Sequence, residues 1–314
     1  MEYHIDAKLL IKLNKAFVCK KEVHLFEINL NGNRWFPNFS NELLGQFKIS
    51  YFHLFNFHSI GSKRNIGGNI EGGTFNGSTY SLKELHIETS KDGQSNRVIE
   101  TGAFSELRLL KKISIGNSFG TLQSKAFFDL PNLEFLTIDE QSISTIDSGA
   151  FENLSILKVM DLSNQLISSL SSRSFCNMFN LTELNLSSNK IKKIQNNTFY
   201  NLQSLVNLDL SRNSEFCHIG NMLSDMLDNP DLVVNLAGNN VNILLEDSFK
   251  PFIETVTNNN GRGYINMTNN SLNCNCDVKW LVNSDFGWTN IIQNTSCKNG
   301  KNLEEVTHII SYLD

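Results

Sequence analysis

In the stretch LTELNLSSNKIKKIQNNTF the apolar positions are Leu181, Leu184, Leu186, Ile191, Ile194 and Phe199. They are separated by three, two, five, three and five residues. A helix repeats near 3.6 residues and a strand near two, so neither period sets this spacing. The same set recurs 24 residues earlier as Leu157, Met160, Leu162, Ile167, Leu170 and Phe175. It recurs 24 before that as Leu133, Leu136, Ile138, Ile143, Ile146 and Phe151. Leu205, Leu208, Leu210 and Asn213 open a further copy whose second half departs from the pattern. Looser copies begin at Leu25, Leu82, Leu110 and Asp231, the last keeping Val234, Leu236, Asn239, Val241, Leu244 and Phe249. A fragment survives as Ile265, Met267, Asn270 and Leu272, and residues 49–57 form another copy with Phe57 where Asn is expected.

The pattern predicts a coil rather than an isolated helix or strand. The step of two is a short strand with alternate side chains inward. A turn follows, and the later apolar residues re-enter the core from the opposite wall. Asn189 falls at that turn, where an amide can donate to and accept from backbone groups the turn leaves unpaired. Asn33, Asn213, Asn239 and Asn270 are its equivalents, with Ser90, Ser118, Gln141 and Gln165 as polar substitutes. Phe151, Phe175, Phe199 and Phe249, with Phe104 and Phe127, are expected to stack as a spine. One copy buries too little to order itself, so the copies must share a continuous core.

The motif L-x-x-L-x-L-x-x-N-x-L, recurring in phase over most of the chain, resembles the leucine-rich repeat family. That resemblance implies an α/β leucine-rich repeat solenoid, with a curved parallel sheet on the concave side and an irregular, short-helical convex side. It implies an N-terminal cap at 1–24, repeats at 25–272 and a C-terminal cap at 273–314. The end of the chain, NSLNCNCDVKWLVNSDFGWTNIIQNTSC, is similar to the cysteine cap of extracellular members, which implies a bridge between Cys274 and Cys297. The family's fourth cysteine does not occur here, which leaves Cys276 without its expected partner. A zinc site from Cys274, Cys276, Cys297 and His308 is the competing reading, although C-x-C is tighter than the usual zinc spacing. Cys176 and Cys217 fall about two coils, or roughly 10 Å, apart. That is too far for a disulfide, so both are expected as buried free thiols. Cys19 is expected in an N-terminal cap with its partner upstream.

A disulfide cap implies an oxidising compartment. The opening MEYHIDAKLLIKLNKAF is interrupted by Asp6, Lys8, Lys12 and Lys15 and is no secretory leader. The chain is therefore expected to be a fragment of a secreted protein or ectodomain. Asn38, Asn76, Asn153, Asn180, Asn196, Asn266, Asn269 and Asn294 are glycosylation candidates, while Asn185 is set aside because it lies on the inner sheet.

With a net charge of −5 there is no basic field for nucleic acid. No apolar run reaches the roughly 18 residues of a membrane span. The glycine-rich segment GSKRNIGGNIEGGTFNGS lacks the Lys-Ser/Thr of a phosphate loop, and no nucleophile elbow or H-E-x-x-H occurs. His53 and His58 are five apart, the wrong spacing for two ligands on a helix face. No enzyme, metal or cofactor is expected. Function then falls to the solvent side of the inner sheet: Glu84, His86, Glu88, Lys112, Phe135, Thr137, Asp139, Val159, Asp161, Glu183, Asn185, Asn207, Asp209, Val233 and Asn235. This acidic stripe with a few apolar residues suits a protein ligand carrying a basic patch; a plain solvated sheet face is the alternative.

FEINLNGNRWFPNFSNELLGQFKISYFHLF, IEGGTFNGSTYSLKELHI and the C-x-C-D-x-x-W-L end are similar to arthropod secreted leucine-rich repeat proteins. That group includes the non-catalytic subunit of shrimp luciferase, and the likeness implies an accessory or scaffolding role. A Toll-type receptor or adhesion ectodomain, and a regulator of a secreted enzyme, are the other readings.

Overall fold

The computed structural model describes residues 4–6, 22–29, 48–57, 69–75, 82–89, 97–105, 107–116, 119–139, 142–274, 278–282 and 287–311. Side chains are described for these except at 4–6, 22–29, 48–50, 55–57, 89, 282 and 308–311. The chain forms two compact units, Met1–Asp161 and Leu162–Asp314.

The inner sheet of the first unit pairs strands in parallel and in chain order: His4–Asp6, Glu22–Asn29, Lys48–Phe57, Glu84–Thr89, Lys112–Gly116, Phe135–Asp139 and Val159–Asp161. Parallel neighbours need a return path, and each coil supplies it through an outer wall. There Arg97–Ile99, Phe119–Leu122 and Thr145–Ile146 form a second small parallel sheet. The alternation is as the spacing requires: Leu85, Ile87, Ile113, Ile115, Leu136 and Ile138 are buried, while their odd-numbered or even-numbered companions face out. Below the outer wall Phe75, Phe104, Phe127 and Phe151 stack in succession, with centroids 5.7, 5.1 and 5.6 Å apart. Offset stacking of this kind adds to what the rings gain by burial.

The second unit repeats the plan with Glu183–Asn185, Asn207–Asp209, Val233–Asn235, Tyr264–Asn266 and Ile292–Gln293. Phe175 and Phe199 stack at 6.0 Å. Phe249 is buried but joins no ring stack among the described residues. It lies in the helix Glu246–Asn258, among the buried residues of that helix. Ile194, expected inward, is only half-buried in its two-residue outer strand.

At the turns after the inner strands from Val159–Asp161 to Tyr264–Asn266 one residue adopts positive φ: Asn164, Ser188, Arg212, Gly238 and Asn269. Such a residue reverses the chain and aims the next side chain into the coil. That next residue is Gln165, Asn189, Asn213, Asn239 or Asn270, all buried. The Asn189 amide donates to Leu162 O (2.9 Å) and Leu186 O (3.0 Å), and its oxygen accepts from Ile167 N (3.1 Å). Asn213 donates to Leu186 O and Leu210 O and accepts from Ile191 N. Asn239 donates to Leu210 O and accepts from Asn213 N; Asn270 donates to Leu236 O and accepts from Val241 N. Each amide therefore ties its own coil to the one before it. Asn33, Ser90, Ser118 and Gln141 lie outside the described residues.

Two readings of the sequence are corrected. The register sets Phe26 beside Phe52 and Ile28 beside Leu54, so the first copy begins at Val23, two residues earlier than the leucine spacing suggests. Cys176 and Cys217 are indeed free, but each is half-buried rather than buried. They follow the buried Phe175 and Phe216 on the outer wall, where neighbouring residues alternate between core and solvent.

In the last coils Cys274 and Cys297 are joined by a disulfide with Cα atoms 5.5 Å apart. It lies beside the paired strands Ser271–Leu272 and Ser296–Cys297. The bridge consumes two of the three sulfurs that the zinc site would need. Cys19 and Cys276 lie outside the described residues, as does the side chain of His308. Trp280 donates from its indole N–H to Leu244 O at 2.9 Å, and Trp288 is buried against the same end.

Replacing Asn213 by Ala strands the buried Ile191 N–H and removes one of the two amide donors at each of Leu186 O and Leu210 O, which keep those of Asn189 and Asn239. We expect Asn213→Ala to lower stability by about 1–3 kcal/mol, read as a shifted urea midpoint. Asn207→Ala, at an exposed position, should stay within about 0.5 kcal/mol. Cys297→Ser should cost about 3 kcal/mol in the same assay.

Candidate functional site

The inner face of the first unit is built from register rows. Tyr51, Glu84, Lys112, Phe135 and Val159 occupy one row. His53, His86, Ser114, Thr137 and Asp161 occupy the next. Glu88, Gly116 and Asp139 belong to a third. Each predicted position of this unit points away from the core. Phe135 is 41% exposed, an unusual cost for an aromatic ring on a sheet. Lys112 and Val159 flank it across the strands, and Asp139 and Asp161 lie at the strand ends.

One position ahead of the strands runs a row that sequence reasoning missed. Glu134 accepts from Lys158 Nζ at 2.7 Å through one oxygen and from Lys111 Nζ at 3.2 Å through the other. Those two hydrogen bonds, that from Lys158 first, hold its carboxyl below the usual carboxylate range. The signal was available, because the residue just before several inner strands, as at Lys111, Lys158 and Val206, is also outward, but the strand count stopped short of it.

On the second unit Glu183 and Asn207 are exposed on the inner face. Asn185, Asp209 and Asn235 have intramolecular work at the strand ends. Their side-chain oxygens accept from Ser187 N, Ser211 N and Ala237 N at 3.0, 2.8 and 3.2 Å. Asn235 Nδ2 also donates to Asp209 Oδ2, and Asn266 Nδ2 to Asn235 Oδ1. These side chains close turns, so their polarity alone does not mark a binding role. Val206, 39% exposed just ahead of its strand, was missed for the same reason as Glu134.

The glycosylation candidates separate. Asn153, Asn180, Asn196, Asn269 and Asn294 are exposed. Asn266 stands on the inner sheet with its amide engaged, and the reason that set Asn185 aside applies to it equally. Asn38 and Asn76 lie outside the described residues. Asn196 borders an outer-wall concavity of about 570 Å³ with Tyr200, Asn221, Asp225 and Asp228. Burial raises the Asp225 carboxyl, and the backbone amides of Phe199 and Asn197 that it accepts from oppose this.

Residues 68–206 match the BspA type leucine rich repeat region in six copies. These are leucine-rich repeats. The α/β leucine-rich repeat solenoid expected from the sequence is the fold observed. No curated protein matches the sequence. Among solved structures the chain is similar to human 5T4 (Wnt-activated inhibitory factor 1, Trophoblast glycoprotein). The identity is 20% and the TM-score 0.52, over 71% of this chain and 84% of that one. It is also similar to Toll in the Drosophila Toll–Spatzle complex, at 18% identity and TM-score 0.60. The glycosylated form of that complex gives 16% and 0.59. The chain spans 42% of those Toll chains while 95% of it is covered. At these identities the likeness is one of fold. No helix among the described residues is long and apolar enough to cross a membrane.

Glu134 sets a testable electrostatic point. A depressed folded-state value means its contribution is present above the ordinary carboxylate value and is lost as pH falls through the folded one. In Lys158→Met, NMR titration should show Glu134 moving up toward its ordinary value. Stability at neutral pH should barely change, because the pair is solvent-screened.

Proposed function

We propose that this leucine-rich repeat chain is a non-enzymatic, extracellular protein-binding scaffold or accessory subunit whose ligand docks on the inner face. The observation that carries the reading is Phe135, an exposed ring on the first unit's inner sheet between Lys112 and Val159. Around it Glu84, His86, Asp139 and Asp161 supply a mainly acidic border for a partner with basic groups about an apolar centre. Glu183, Asn185 and Asp209 are the second unit's contribution to the same reading, with Asn185 and Asp209 also closing turns.

The disulfide supports work in an oxidising compartment, and exposed Asn153, Asn180, Asn196, Asn269 and Asn294 are compatible with glycosylation there. The division keeps an N-terminal cap at 1–24, repeats at 25–272 with the first copy opening slightly earlier at Val23, and a cysteine cap at 273–314, which the Cys274–Cys297 bridge supports and into which the last inner strand, Ile292–Gln293, reaches. Toll binds Spatzle in the structures similar to this one, which favours a protein as ligand. Fold alone names no function, so that support is by analogy. The accessory-subunit reading draws on the resemblance to arthropod secreted leucine-rich repeat proteins. An ectodomain fragment of a receptor or adhesion protein is the second reading, favoured by the Toll likeness over nearly the whole chain. A regulator of a secreted enzyme would use the same face.

The test compares the immobilised chain with Phe135→Asp/Asp161→Lys, matched for thermal unfolding, in capture from the secreted fluid of its source. Quantitative mass spectrometry should find a protein depleted at least about tenfold on the variant, as loss of an apolar anchor predicts. Equal recovery of every captured protein would overturn inner-face binding. Transcript sequence on both sides of the segment separates the two readings, by a stop or an apolar span downstream.

A further inference from the structure

His53 and His86 lie far apart in sequence, yet parallel pairing places them side by side in one row. Their rings meet at 4.5 Å between centroids with planes 72° apart. Glu88, two residues beyond His86 on the same strand face, turns its carboxylate toward both. Glu88 Oε1 is 2.8 Å from His86 Nε2 and 3.8 Å from His53 Nε2. One ligand atom from each of the three residues lies within 4.8 Å of the others.

Zinc binds imidazole nitrogen and carboxylate oxygen at about 2.0–2.2 Å, so ligand atoms around a tetrahedral ion stand roughly 3.3 Å apart. The separations here straddle that value. Shifts of about 1 Å, within side-chain rotamer freedom, would bring all three onto one ion. The platform is well suited to hold them. All three residues are on paired strands, and Glu88 is opposite Gly116, where a Cβ would stand only 3.4 Å from Glu88 Cγ. The absence of that side chain leaves room for the carboxylate to lie over the sheet.

Exposure falls from Glu88, at 46%, to His86, at 26%, and His53, at 19%. The cluster is thus rooted in the sheet and open on its outer side. A fourth position would face solvent, as in three-ligand zinc sites that keep a water. Two imidazoles and one carboxylate favour zinc and its neighbours over calcium or magnesium, which prefer all-oxygen shells. We propose that His53, His86 and Glu88 form a site for a divalent transition-metal ion of the zinc class on the first unit's inner face. The proposal is independent of partner binding, since it is measured on the chain alone.

The test uses the full chain, freed of metal by chelation and with free thiols alkylated. It is titrated with zinc by calorimetry and with cobalt by visible absorption. We expect one zinc per chain, no heat from calcium or magnesium, and a cobalt spectrum of nitrogen–oxygen ligation. His53→Ala, His86→Ala and Glu88→Gln should each weaken zinc at least about tenfold. Zinc should also raise the unfolding temperature of the parent more than that of Glu88→Gln. Glu88→Gln keeps the shape of the side chain and remains informative if a histidine variant fails to fold. Absence of stoichiometric binding, or equal affinity in the parent and Glu88→Gln, would overturn the proposal; the latter would place the ion on other histidines.

Discussion

A primary amide, buried at the turn after an inner strand, is what the rest of this structure depends on. Turning the chain at the end of a strand leaves carbonyls and an amide of two successive coils facing the core. Buried polar groups left unpaired cost more than a hydrogen bond gains. Asn189, Asn213, Asn239 and Asn270 answer this with one side chain that donates and accepts at once. Gln165 is buried at the same station with its amide donated to Ser163 O. Because Asn189, Asn213 and Asn270 reach carbonyls of their own coil and the preceding one, and Asn239 one of the preceding coil, turn formation and stacking are coupled. A coil that loses its neighbour loses its turn as well.

From that constraint the other features follow in order. The turn fixes where the strand begins, the strand fixes which side chains face the core, and parallel register aligns the outward ones into rows. The outer wall then has only to return the chain. In the first unit it does so with short strands and tight turns packed on stacked phenylalanines. In the second it includes the helix Glu246–Asn258, which buries Phe249, Phe252, Ile253 and Val256. The outer surface can vary in this way because the amide ladder on the inner side holds the coils in register.

Much of this was legible in the chain. The asparagine stations at 189, 213, 239 and 270, the inward strand residues and the phenylalanines at 104, 127, 151, 175 and 199 all follow from the recurring motif, whose copies are not all of one length. What was not legible depends on register between unequal copies. Val23, Phe26 and Ile28 are as apolar as Leu25 and Leu30, so composition could not choose the frame; pairing with Phe52 and Leu54 did. His53 was weighed against His58, its neighbour in sequence, whereas its neighbour in space is His86. Copies of irregular length hide that relation, because no fixed offset connects the two positions. Asn185, Asp209 and Asn235 looked like free inner-face polar groups, and only the hydrogen bonds show them closing turns.

Native-state hydrogen exchange tests the coupling of turn to stack most directly. The amides of Ile167, Ile191, Asn213 and Val241 lie at or just after the turns that follow inner strands, outside the strand ladders, and each donates to an asparagine oxygen of the following coil. They should exchange only through cooperative opening, as slowly as core amides such as Leu208 and Val234. Exchange of these four amides at the rate of exposed turns, while the strands stay protected, would contradict the account.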